Sequence, residues 1–152
     1  MALQILKYGV DGTDAEIIRA LTENARMSMR DLADRVGMSA PSVTERVRRL
    51  EEAGIIRGYT LDIDMRALGY PLQAIVRIRP LPGQMHVVER MIEAIPEFVE
   101  CDKVTGEDCF VARLCLQKIE DLDDILSGIL ERAMTNSAII KATAIDRRMP
   151  PL

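Results

Sequence analysis

The run at residues 28–62, SMRDLADRVGMSAPSVTERVRRLEEAGIIRGYTLD, constrains this chain more than any other stretch. Leu32, Ala33 and Val36 recur at the spacing of an amphipathic helix, with Ser28 placed to cap it and Asp31 in its first turn. Gly37 follows the last apolar position, where a helix end favours a residue tolerant of positive φ. Ser39 is placed to cap a second helix, and Pro41 fits its first turn, where a missing N–H costs no helical hydrogen bond. Val43, Val47 and Leu50 give this helix one inward stripe, and Gly54 closes it. Ser42, Thr44, Glu45, Arg46 and Arg49 read as its outward face. A short helix, a glycine-containing turn and a second helix with a polar outward face describe a helix-turn-helix. Residues 55–64, broken by Gly58, have the composition of a strand and follow in the place of a wing.

A charged helix face is often only a solvated surface. Here the arginines are grouped on one helix, and arginine donates in bidentate fashion to guanine or phosphate, which favours double-stranded DNA as the partner. In a helix-turn-helix the second helix enters the major groove with its N-terminal residues towards base edges. Ser42, Thr44, Arg46 and Arg49 are therefore expected to meet DNA, with Ser39 beside Ser42 at the helix N-terminus. Glu45 is placed to read cytosine or repel a wrong register, while Arg57, Arg26 and Arg30 are placed to hold flanking phosphate. On this outward reading, Arg46→Ala abolishes specific binding without changing the size of the assembly.

The charge distribution agrees. The chain carries −4 overall, which argues against a nonspecific nucleic-acid coat. Residues 25–49 nevertheless hold Arg26, Arg30, Arg35, Arg46, Arg48 and Arg49 against Asp31, Asp34 and Glu45. The acids crowd elsewhere, at Glu120, Asp121, Asp123 and Asp124. An acidic chain with a local basic patch suits a binder that depends on docking geometry.

With 152 residues the chain has room for one ordinary domain or two small ones, and its 48% hydrophobic content supports real cores. Aromatics are only 3%, so aliphatic residues and methionine must fill those cores. No run approaches the ~18 apolar residues of a membrane span, and no signal-peptide pattern opens the chain, so a cytoplasmic protein is expected. Cys101, Cys109 and Cys115 lack C-x-x-C spacing, which points to neither a zinc site nor a disulfide framework; buried thiols acting as small hydrophobes are expected.

Residues 1–12 read as a frayed lead-in whose Leu3, Ile5 and Leu6 suit a partner. Asp11 or Thr13 is placed to cap a support helix at 14–24, with Ile17, Ile18 and Leu21 inward. Gly69 and Pro71 mark a boundary, so residues 1–62 are expected to form the DNA-binding domain, 63–70 a linker and 71–152 a second domain. In the latter the patterns predict strands at 72–79, 98–105, 109–117 and 139–146, helices at 85–95 and 121–134, and a tail at 147–152. The fold class is thus α+β, a winged helix-turn-helix followed by a ferredoxin-like βαββαβ domain with both helices on one sheet face. The strands are apolar on both parities, as at Ile75 beside Val76, so the bare face suits a second copy.

Three blocks together carry a family resemblance: D-x-x-D-x-x-I-I-x-x-L at Asp11 to Leu21, the helix-turn-helix run, and V-T-G-E-D-C-F at Val104 to Phe110. Over nearly its full length the chain resembles the Lrp/AsnC, or feast/famine, regulators of bacteria and archaea. The resemblance implies a transcription factor that forms dimers and often octamers of four dimers. It also implies that an amino acid or related metabolite binds between subunits, near the turn joining the second and third strands of the C-terminal domain. Here that turn is Thr105, Gly106, Glu107, Asp108 and Cys109, and the last turn, with Thr135 and Asn136, resembles the second wall of the pocket. The family often has an aromatic residue and then Asp after Gly-x, whereas this chain has Asp108 followed by Cys109. Gly106 would let backbone N–H groups approach a ligand carboxylate, and a nearby acid could meet an α-amino group; an ordinary hairpin turn uses the same residue types.

Two other functions share this layout. A related group of proteins decarboxylates sirohaem, chemistry that needs general acids and a basic pocket for propionates. The single histidine, His86, reads as a surface residue, and no Ser/His/Asp set, metal cluster or phosphate loop is present, so neither catalysis nor a cofactor or metal is expected. The third reading is a metabolite-binding module whose helix-turn-helix only packs.

Overall fold

The capping residues place the helices of the N-terminal part as the sequence suggests. In this computed structural model, which describes residues 9–152, Asp11 caps helix α1 (Gly12–Glu23). Its carboxylate accepts from the Asp14 N–H at 2.8 Å, and Asp14 accepts in return from the Asp11 N–H at 3.2 Å. Two acids at the positive end of a helix complement its dipole as well as its unpaired donors. Ser28 caps α2 (Met29–Val36) by accepting from the Asp31 N–H at 3.1 Å. That helix ends at Gly37, whose φ of +68° strains any residue with a Cβ. Ser39 then caps α3 (Ala40–Glu52), with Pro41 in the first turn. Ile17, Ala20, Leu21, Leu32, Ala33, Val43, Val47 and Leu50 bury together as the core of this unit.

The segment after α3 departs from expectation. Residues 55–64 carry strand composition, but among the described residues they pair with no other strand. Strand propensity needs a neighbouring backbone to take up the N–H and C=O groups, and here no neighbour is provided. Tyr59 anchors the segment by donating from its hydroxyl to Glu51 of α3 at 2.8 Å. Burial pushes the phenol up to about 12, and the Glu51 carboxylate adds to the shift.

Asp62 ends the first run of this unit, and residues 145–152 return to it, although the sequence places them with the second domain. In the returning segment the Leu152 carbonyl accepts from the Arg19 guanidinium of α1 at 2.9 Å, and Thr22 donates to the Met149 sulfur at 3.9 Å. Met149, Arg147, Thr22, Ile18, Ile56 and Tyr59 line a recess of about 670 Å³. The lead-in expected around Leu3, Ile5 and Leu6 lies outside the described residues.

The second unit, Ile63–Ala144, runs β1 (Leu72–Pro80), α4 (Met85–Ala94), β2 (Phe98–Lys103), β3 (Phe110–Leu116), α5 (Asp121–Leu130) and β4 (Ala133–Ile139). The sheet order is β2-β3-β1-β4, antiparallel throughout. Ala74, Val76 and Ile78 of β1 and Phe110 and Leu114 of β3 face α4 and α5, where Val88, Ile92, Leu126 and Ile129 complete a second core. This is the βαββαβ arrangement.

The last helix and the last strand depart most from the sequence reading. The last helix stops at Leu130 rather than 134, and the last strand occupies 133–139 rather than 139–146. Ala133, which helical spacing assigns to the end of the helix, is instead buried as the first residue of β4, opposite Pro80. The weak strand composition of AMTNSAI yields to register along β1; the Ile140 N–H still donates to the Gln73 carbonyl at 2.8 Å, but β1 begins at Leu72 and gives the more strand-like residues beyond little edge to follow.

The cysteines also divide. Cys115 is buried and Cys109 half-buried, but Cys101 is exposed, because β2 is an edge strand. Among the described residues no helix is long and apolar enough to cross a membrane.

Phe110 is only 1% exposed within the second core. Phe110→Ala is expected to cost about 3–5 kcal/mol, read by urea denaturation of the full chain.

Candidate nucleic-acid interface and effector site

Helix α3 presents its residues in two sets. Ser39, Ser42, Thr44, Glu45, Arg48 and Arg49 are exposed, as a helix entering a groove requires. The hydroxyls of Ser39 and Ser42 lie 2.8 Å apart, and Thr44 donates back to the Ala40 carbonyl at 2.9 Å. Arg26, Arg30 and Arg57 are also exposed, and none of them has an ion-pair partner among the described residues.

Arg46 corrects the sequence reading. Its guanidinium turns towards α1 and donates to Asp11 at 2.6 Å and to Asp14 at 2.8 Å, leaving the side chain 24% exposed. The reason is helical spacing: Arg46 lies three residues after Val43 and four before Leu50, so it belongs to the inward stripe despite its charge. Arg49, one turn further on, reaches Asp14 at 2.7 Å while remaining 53% exposed. Asp14 is fully buried, so two guanidiniums balance the two carboxylates of the capping box. Hydrogen bonds donated to Asp11 and then to Asp14 hold the Arg46 charge more firmly than usual. The Asp14 backbone N–H and then Arg46 hold the Asp11 carboxyl below its ordinary value.

Arg48 was not singled out in the sequence, yet it stands on the outward face. It donates to Glu45 at 2.5 Å and also pairs with Glu52, and these bonds, Glu45 first, raise its basicity. Glu45 is thus occupied by a neighbour on its own helix. The spacing Glu45-x-x-Arg48-x-x-x-Glu52 is the legible signal.

In the second unit, the Val104 N–H donates to the Cys109 carbonyl at 3.0 Å and closes the β2–β3 hairpin around residues 105–108. Gly106 sits at φ +115°, a conformation that side chains rarely adopt. Thr105, Gly106 and Glu107 are exposed, Asp108 and Cys109 half-buried. The hairpin meets a residue absent from the sequence reading: Arg79, near the end of β1, pairs with Glu107 and lies 3.7 Å by its Nε from Asp108. The signal was available in VRIRP, where Arg77 and Arg79 alternate with buried Val76 and Ile78.

Thr135 and Asn136 are not in a turn. Both lie within β4, opposite Ile78 and Arg77 respectively, and consecutive strand residues face opposite sides of the sheet. Asn136 therefore shares a face with Arg77, whereas Thr135 lies on the side of the helices. The turn before β4 is closed instead by the Arg132 N–H donating to the Ile129 carbonyl at 2.9 Å. On the face opposite α4 and α5, Arg113 of β3 donates to Gln73 at 3.1 Å and to Glu100 at 3.3 Å. His86 is on the surface, 3.7 Å from Glu89. Among the described residues no His, Cys, Asp and Glu group is arranged to hold a metal ion.

Removing Arg46 would leave the buried Asp14 with Arg49 as its one cationic partner. Arg46→Ala is expected to destabilise the helix-turn-helix unit by about 3 kcal/mol, measured by thermal or urea unfolding. The Asp11 carboxyl, depressed in the folded state, contributes stability that is present above its ordinary value of 3.8 and is lost as pH falls through the folded value. Asp11→Asn keeps the cap but should flatten the loss of Tm between neutral pH and about pH 3.

Residues 10–57 match the winged helix-turn-helix DNA-binding domain, and residues 73–150 match the Lrp/AsnC ligand binding domain. The chain is 33% identical to the HTH-type transcriptional regulator LrpC of Bacillus subtilis, over 86% of this chain and 91% of that protein. It is 36% identical to the HTH-type transcriptional regulator LrpA of Mycobacterium tuberculosis, over 94% of this chain and 97% of that one. The solved structure of B. subtilis LrpC superposes with a TM-score of 0.84, covering 91% of this chain and 98% of its own. The feast or famine regulatory protein from M. tuberculosis complexed with L-methionine superposes with a TM-score of 0.85 at 34% identity, covering 93% and 98%. A winged helix-turn-helix DNA-binding domain followed by an Lrp/AsnC ligand binding domain thus spans almost the whole chain, which belongs to the Lrp/AsnC family of transcriptional regulators.

Proposed function

We propose that this regulator binds a roughly palindromic DNA site as a homodimer, alone or within an octamer of four dimers, and that an amino acid modulates it. The observation that carries the DNA reading is the exposed N-terminal face of α3. Ser39, Ser42 and Thr44 meet base edges or adjacent phosphate there, Arg49 offers phosphate its exposed part in the last turn of α3 while paired with Asp14, and Arg26, Arg30 and Arg57 hold the flanking backbone. Arg46 acts through position, fixing α3 on α1 rather than touching DNA. Glu45 contributes to base selection only by leaving Arg48. Residues 63–70 connect the DNA-binding and ligand-binding parts.

The effector reading places an amino acid at Thr105, Gly106, Glu107, Asp108 and Cys109, with Asn136 on β4, two strands from β3 and opposite Arg77 of β1. Its support is the positive-φ glycine beside a half-buried acid, together with the L-methionine complex of a protein 34% identical to this one. The sheet face that carries Ile75, Val111 and the exposed Met134 supports pairing with a second copy. The protein works in the cytoplasm as a regulator, and catalysis is not its role.

The first test is binding to a duplex from upstream of its own gene, against a scrambled duplex, across a salt series. Selective binding that weakens with salt is expected, since released counterions report phosphate contacts. No affinity for any DNA at low salt would overturn the proposal. Arg30→Ala should weaken binding to all sequences alike and reduce the salt slope by about one. Ser42→Ala should instead relax sequence preference with the slope unchanged.

A further inference from the structure

Asp108 and Arg79 stand together without satisfying each other. Their 3.7 Å separation is an ion-pair distance but too long for a hydrogen bond. Among the described residues the Asp108 carboxylate accepts no side-chain or backbone hydrogen bond, and Arg79 spends only one guanidinium nitrogen, on Glu107. The corner of the sheet beside Gly106 therefore offers an open anionic acceptor next to a cationic fork with unused donors. A free α-amino acid has the complementary pattern, with ammonium nitrogen and carboxylate carbon about 2.5 Å apart across one Cα. Arginine is also the side chain whose planar donors fit a carboxylate in bidentate fashion.

We propose that Arg79 is the carboxylate-binding residue of the effector site, and that Glu107 is an internal competitor which occupies it until a ligand arrives. Asp108 takes the ligand ammonium, the ligand carboxylate takes Arg79, and the Glu107 carboxylate is released to water. Glu107 suits that part: its side chain is 80% exposed on the hairpin, so it is solvated readily on leaving. The class of ligand follows from the arrangement: an α-amino acid with both termini free, neither an amide nor an N-acyl derivative. This inference rests on the amino-acid effector reading above and adds the residue that recognises the acid end.

The test is calorimetric titration of the full chain with a panel of L-amino acids that includes L-methionine, followed by the amide and N-acetyl forms of whichever binds. Arg79→Ala should weaken binding by about tenfold or more, the usual effect of losing a charge-assisted hydrogen bond. Glu107→Gln should tighten it severalfold by removing the competitor, a gain that damage to the hairpin would not produce. Circular dichroism melts confirm that each variant folds. If the parent chain binds an amino acid and Arg79→Ala binds it equally well, or Glu107→Gln weakens it, the assignment of Arg79 and Glu107 falls while the effector reading stands. If the parent chain binds no amino acid at all, both fall.

Discussion

The orientation of the recognition helix depends on one buried carboxylate. Asp14 has no solvent exposure and takes Arg46 and Arg49 from α3, while its partner in the capping box, Asp11, takes Arg46 as well. A buried carboxylate without partners is costly, so α3 cannot rotate about its axis or slide along α1 without stranding a charge. The apolar stripe of Val43, Val47 and Leu50 would tolerate small shifts; the ionic joint specifies one register. The residues that start α1 thus also fix how α3 presents Ser39, Ser42 and Thr44.

Charge pairing within the chain recurs on the outer face of α3 and at the β2–β3 hairpin. Arg48 lies between Glu45 and Glu52, and Arg79 is drawn to Glu107 and Asp108. Such exposed pairs contribute little to stability, and they exchange partners at small cost. Among the described residues Arg26, Arg30 and Arg57 differ in having no such partner, and all three are exposed.

Most of the architecture was legible before any coordinates, because caps and periodicity act locally. Ser28, Gly37, Ser39 and Pro41 bound their helices in both readings, and the βαββαβ order follows from the pattern alone. Where the two diverge, a nonlocal partner decided. Residues 55–64 have strand composition without a strand beside them, and 133–139 become a strand because β1 supplies the edge. Arg46 was misread by chemistry rather than by spacing: its position on the stripe was visible, but an inward arginine makes sense only once the acids of α1 are known to face it. Arg79 was missed for the converse reason, since nothing in VRIRP says that a hairpin from the far side of α4 and β2 returns to its end.

The return of residues 145–152 to α1 makes the ligand-binding unit an insertion within the DNA-binding one. On a ribosome the helix-turn-helix emerges before the ligand-binding unit, but the segment that contributes Met149 and the Leu152 carbonyl to its surface is synthesised after that unit. The helices close on their own local contacts early, whereas the recess beside Thr22 and Tyr59 gains its last wall only after the entire intervening sheet has been made. Completion of the N-terminal unit is therefore a late event in the life of the chain, and it reports that translation has reached the end of the ligand-binding part.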